Sequence, residues 1–101
     1  AGGIMVGNTT HNDNVKSIYG TSPGNDLQIY HSGTDGFIAN ATGDLKLSAT
    51  NFRILKPGLG EFIANFFSDG AVELFNNNSK KFETTSTGAS VTSATATTWY
   101  S

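Results

Sequence analysis

The sequence contains no cysteine, which removes disulfides, thiolate nucleophiles and thiolate metal sites from consideration. It is also short of charge. Asp, Glu, Lys and Arg make up 14 % of the residues, against about 25 % in an ordinary soluble domain. The formal net charge of -2 comes without any basic cluster, which argues against a nucleic-acid partner, since phosphates call for concentrated Lys and Arg. No apolar run approaches the ~18 residues of a membrane-spanning helix. Helix signals are missing too: Gly, Asn and Thr interrupt every stretch in which apolar residues begin to recur at helical spacing. Large apolar residues are scarce. Leu, Ile, Val and Phe number 23 among 101, just above the roughly 20 % at which composition points to disorder. One thin core is the most they can build, and sharing it with identical neighbours would relieve the shortage.

What is present is period-two alternation punctuated by turn residues. In "DLQIYH", Leu27 and Ile29 share one face while Gln28 and Tyr30 take the other. In "DLKLS", Leu45 and Leu47 oppose Lys46, and in "AVELF" Val72 and Leu74 oppose Glu73. "NFRILK" alternates around Phe52 and Ile54, and "EFIANFF", which includes Phe66, is apolar on both faces, the pattern of a strand buried between two layers. "SPGND", "HSGTDG", "ATGD", "KPGLG" and "SDG" supply the Gly, Asp and Pro that turns require. Seven or eight short strands are expected, in an all-β fold of the sandwich, barrel or solenoid kind. "GNDLQIY", "TGDLKLS" and "DGAVELF" form a loose internal echo, their glycines Gly24, Gly43 and Gly70 lying 19 and 27 residues apart.

Candidate chemistry is sparse. His11 and His31 lie 20 residues apart in separate turn-rich segments, whereas a metal site needs three or four convergent ligands, so no metal and no cofactor is expected. Most of the aspartates sit beside glycines in turns, and no two acids are marked as a glycosidase pair. A nucleophile elbow and a phosphate loop are absent from the sequence. The expectation is that the protein is not an enzyme. Tyr30, Trp99 and Tyr100 are candidates for surface binding, against a sugar or a partner chain. Lys80 and Lys81 read as protection of a strand edge. The opening "AGGIMVG" has neither an initiator Met nor a signal-peptide pattern, and reads as the start of a fragment or processed piece.

"DLQIYH", "GDLKL" and above all "VELFNNNSKKFETTSTG" carry a resemblance. The stretch from residue 16 to 92 resembles a repeat module of structural proteins from marine, cyanophage-like bacteriophages, in tail-fibre or virion proteins. Phe75 and Asn76 stand where that module has Tyr-Tyr, Ala89 and Ser90 replace a Val-Thr type pair, and "SATATTWYS" follows Thr92 where the module has Gly. The resemblance implies a fibre or appendage module located on the virion, outside the cell, and assembled as a homotrimer or larger homo-assembly. Neighbouring virion proteins and a host surface glycan would be its further partners. It also implies a β-solenoid-like or interwoven trimeric β-fibre, the alternative being a small monomeric β-sandwich. Residues 1–92 would form one module and 93–101 a Ser/Thr/Ala-rich tail or connection. Leu27, Ile29, Leu45, Leu47, Phe66, Val72, Leu74 and Phe82 are the candidates for a core or shared interface, with Asn76 to Ser79 making a turn. The competing functions are a carbohydrate-binding module, an extracellular filament subunit and a polysaccharide depolymerase.

Overall fold

The computed structural model describes residues 3, 7–21 and 24–93. The chain divides into two compact units, residues 1–46 and 47–101. Among the described residues all regular structure is β: eight strands in two open antiparallel sheets, with no helix.

The first unit holds a three-stranded sheet in the order β1 (Ser17–Tyr19), β2 (Leu27–His31), β3 (Gly36–Asn40). Ser17, Ile29 and Ile38 lie opposite one another across it, as do Tyr19, Leu27 and Asn40. The other face carries Ile18, Gln28 and Ala39 in one row and Tyr30 beside Phe37 in the next. The β2–β3 turn closes through Ser32, whose N–H donates to the Asp35 carbonyl at 2.8 Å and whose hydroxyl oxygen accepts the Asp35 N–H at 3.1 Å. A short polar side chain that mimics backbone explains why "HSGTDG" turns here.

The second unit is a five-stranded meander whose spatial order equals its sequence order: β4 (Asn51–Leu55), β5 (Phe62–Phe67), β6 (Val72–Asn76), β7 (Ser79–Thr85) and β8 (Gly88–Val91). The turn chemistry is legible at each corner. Pro57 and Gly58 occupy the centre of a turn closed by Leu59 N–H to the Lys56 carbonyl at 2.9 Å, with Gly58 at φ 92°, as a type II turn demands. Asn77 and Asn78, at φ 48° and 65°, make the two-residue β6–β7 connection. Two consecutive left-handed residues are the signature of the type I′ turn, whose twist matches the strands it joins, and Asn tolerates that region better than most residues. Two bulges interrupt the ladders, leaving Ile63 on β5 and Lys81 on β7 without an opposite residue.

Two expectations fail. "DLKLS" is not a strand: Leu45 and Leu47 lie outside the sheets, 47 % and 60 % exposed. The chain has the right alternation but is held otherwise. The Asn40 side-chain amide donates to the carbonyls of Thr42, Gly43 and Asp44 at 3.0, 3.3 and 3.0 Å. "EFIANFF" is not sandwiched between layers either. Ile63 and Phe66 are exposed, and only Ala64 and Asn65 are buried among the described residues, at 5 % and 2 % exposure. β5 is an interior strand of its sheet, and of its large side chains Ile63 and Phe66 are exposed while Phe62 and Phe67 are half-buried.

Candidate functional site

The two faces of the five-stranded sheet differ in kind. Strand pairing sets Phe52 opposite Phe66 and Phe66 opposite Val72. The next row runs Ile54, Ala64, Leu74, Phe82, Val91 across all five strands. Thr84 opposite Ala89 and Asn76 opposite Ser79 also belong to this face. Directly paired residues share a face, and alternation carries that assignment along each strand. The face therefore has no ionisable side chain at any paired position. Its large residues are uncovered: Phe52, Ile54, Phe66, Leu74 and Val91 are all exposed, Leu74 at 43 %. The rings of Phe52 and Phe66 meet at 5.7 Å between centroids.

The opposite face carries Arg53, Glu73, Glu83 and Lys80. Arg53, Asn65, Glu73, Glu83 and Ser90 form a row across all five strands. Glu73 and Glu83 are direct neighbours, an arrangement that repels. Lys80 resolves it: its ammonium donates to Glu83 at 2.8 Å and to Glu73 at 3.3 Å. Those two hydrogen bonds, Glu83's first, raise the Lys80 pKa above its ordinary 10.5. Lys80 thus lies inside the sheet, between β6 and β8, and the expectation of an edge-protecting lysine is corrected for it. Asn65 donates its amide to Glu73 at 3.2 Å, while its carbonyl oxygen is buried with no partner among the described residues. Beside it, the Arg53 guanidinium lies 5.2 Å from the Phe62 ring centroid and 5.1 Å from that of Phe67, attracted by the electron-rich ring faces.

The residues singled out from the sequence fall in several places. Phe66, Val72, Leu74 and Phe82 are together on the uncharged face of the second unit. Leu27 and Ile29 lie on one face of the first sheet, Ile29 opposite Ile38, and Leu45 and Leu47 belong to neither sheet. Tyr30 is half-buried, its ring stacked on Phe37 at 4.8 Å with the Lys16 ammonium 4.6 Å from its centroid. Trp99 and Tyr100 lie outside the described residues. His31 pairs with Asp13 at 3.4 Å on the surface. No group of three or more His, Cys, Asp or Glu side chains gathers as a metal site among the described residues.

Sequence reasoning had no signal for the polar row. Nothing in "NSKKF" marks Lys80 rather than Lys81 as the residue that faces two glutamates, because the bulge at Lys81 decides it. Among the described residues no helix is long and apolar enough to cross a membrane. No protein-family model matches the chain, and neither a curated protein nor a solved structure matches it.

Proposed function

We propose that the chain is a structural module of a bacteriophage tail fibre or another virion appendage, one that extends the appendage and displays a host-recognition part. In this reading it works as a homotrimer or larger homo-assembly next to other virion proteins, outside the cell, and carries out no catalytic step. The solenoid-like or interwoven form expected of such a fibre belongs to the same proposal. The observation that carries it is the burial pattern. Eight strands form, yet only Ala64 and Asn65 are buried among the described residues. Sheets with uncovered apolar faces need something to pack on, and fibre modules meet that need with copies of themselves. The phrases "DLQIYH" and "NSKKFETTSTG" supply the virion part of the reading.

Molar mass in dilute solution, from light scattering after size exclusion, tests it. The expected result is a mass near three times 10.6 kDa. A monomer at micromolar concentration would overturn the homo-assembly.

A further inference from the structure

We infer that the uncharged face of the five-stranded sheet is buried against the same face of neighbouring copies of this chain, leaving the Arg53–Asn65–Glu73–Glu83 face in solvent. The inference rests on the homo-assembly reading above and adds to it which surface meets which.

Charge argues first. Of the two faces, only one can meet a copy of itself without taking charged side chains out of water. The row of Arg53, Asn65, Glu73, Glu83 and Ser90 would have to desolvate charges that are already engaged within the chain, a costly step unless every charge finds a partner. The row of Ile54, Ala64, Leu74, Phe82 and Val91 has nothing to desolvate, and identical apolar faces are self-complementary in chemistry.

Area argues second. With strands about 4.8 Å apart and about 3.4 Å of rise per residue, five strands of about five residues present a face of roughly 400 Å². That falls within the roughly 300–600 Å² of the largest apolar patch on a typical monomer, a patch that is often functional. Two such faces meeting remove about 800 Å² of footprint, more once side-chain relief is included, and so approach the ~1,200 Å² at the lower end of specific interfaces.

Within the second unit, Phe52, Ile54, Phe66 and Leu74 are exposed. Phe52, Phe66 and Phe82 stand on this face, where side chains of a facing sheet about 10 Å away could interdigitate with them, while Phe62, Phe67 and Phe75 lie on the other face beside Arg53 and Lys80.

The chain's lack of cysteine makes the test clean, since an introduced thiol is the only one. Single variants Ile54→Cys and Leu74→Cys on the uncharged face, and Thr85→Cys and Ser90→Cys on the other, are treated with a bis-maleimide of about 10 Å span and run on denaturing gels. Masses of Leu74→Lys and Ser90→Lys are measured alongside wild type. The expected result is efficient cross-linking between copies for the first pair and little for the second. Leu74→Lys should associate at least tenfold more weakly, and Ser90→Lys should keep the wild-type mass. A monomeric wild type overturns both the homo-assembly and this inference. An assembled wild type that cross-links equally or preferentially through Thr85 and Ser90 overturns the inference and leaves the homo-assembly standing. Should Leu74→Lys fail to fold, the smaller and uncharged Leu74→Cys decides the matter by cross-linking alone.

Discussion

Lys80 shows how one side chain determines whether a pairing register is tolerable. Glu73 and Glu83 face each other because the register puts them there, and the Lys80 ammonium between them turns repulsion into two charge-assisted hydrogen bonds. Lys80→Gln is expected to lower the thermal midpoint, and adding Glu83→Gln in that background should recover part of the loss. The four melts of that cycle check it. The Lys80 pKa is raised above 10.5 in the folded protein by Glu83 and then Glu73. A raised value means that the folded state holds the proton more tightly. The stabilisation is therefore fully present below about pH 10.5 and is lost as pH rises through the higher folded value. Wild type should lose stability over that alkaline window and Lys80→Gln should lose less of it, as measured by urea unfolding at stepped pH. Lys80 is exposed and the two glutamates are half-buried, so added salt should shrink the difference in part. Leu59 is the contrary case, a residue in a conformation it does not suit. It sits at φ 64° with 76 % of its surface exposed, so it bears a left-handed backbone and its side chain has little packing to lose. Leu59→Asn should raise stability by roughly 0.5–1 kcal/mol, because Asn visits that region at lower cost, and a shifted urea midpoint with an unchanged m-value would register it.

At the scale of the element, the tetrapeptide Phe-Ile-Ala-Asn occurs twice, at Phe37–Asn40 and Phe62–Asn65, and it forms a strand each time. Its asparagine has two different duties. Asn65 is interior to β5 and bonds Glu73 across the ladder, whereas Asn40 ends β3 and gathers three carbonyls of the following loop. Two further residues, Phe66 and Phe67, lengthen the second copy before its turn, and "AVELF" then pairs back as β6. After the first copy "DLKLS" does not. Asn40→Ala should cost about 1 kcal/mol through the loss of those bonds, seen as a lower urea midpoint. This pair shows how far the sequence could be read. Alternation placed Val72 and Leu74 on one face, and Gly, Asn and Pro marked the corners, but which residues of other strands join them, Phe66 and Phe82, follows from register. Whether an alternating stretch finds a partner strand is not written in its alternation, and the Asn40 amide that holds the loop ahead of Leu45 leaves no periodic trace. The Glu73–Glu83 juxtaposition was hidden for a related reason. It follows from register, and register here follows from a two-residue Asn77–Asn78 turn and a bulge at Lys81.

For the whole molecule, the scarcity of Leu, Ile, Val and Phe and the scarcity of buried residues are one fact seen at two stages. If copies supply the missing layer, folding and association are linked and stability depends on concentration. The thermal midpoint should then rise with protein concentration from 1 to 100 µM, while Leu74→Lys should melt at one temperature throughout; differential scanning over that range checks it. The meander has a further consequence, in time rather than space. Every strand from β4 to β8 pairs with its sequence neighbour. At synthesis rates of about 5–20 residues per second, one strand with its turn takes on the order of a second to emerge, whereas a hairpin closes in roughly 1–10 µs. Each strand can therefore dock on the one before it long before the next exists. The sheet is able to grow in the direction of translation, and no early segment has to wait for a late one. If copies supply the missing layer, the step that must wait is the arrival of another chain, and a polysome carrying several half-made copies side by side would shorten the interval during which the Phe52–Val91 face is bare.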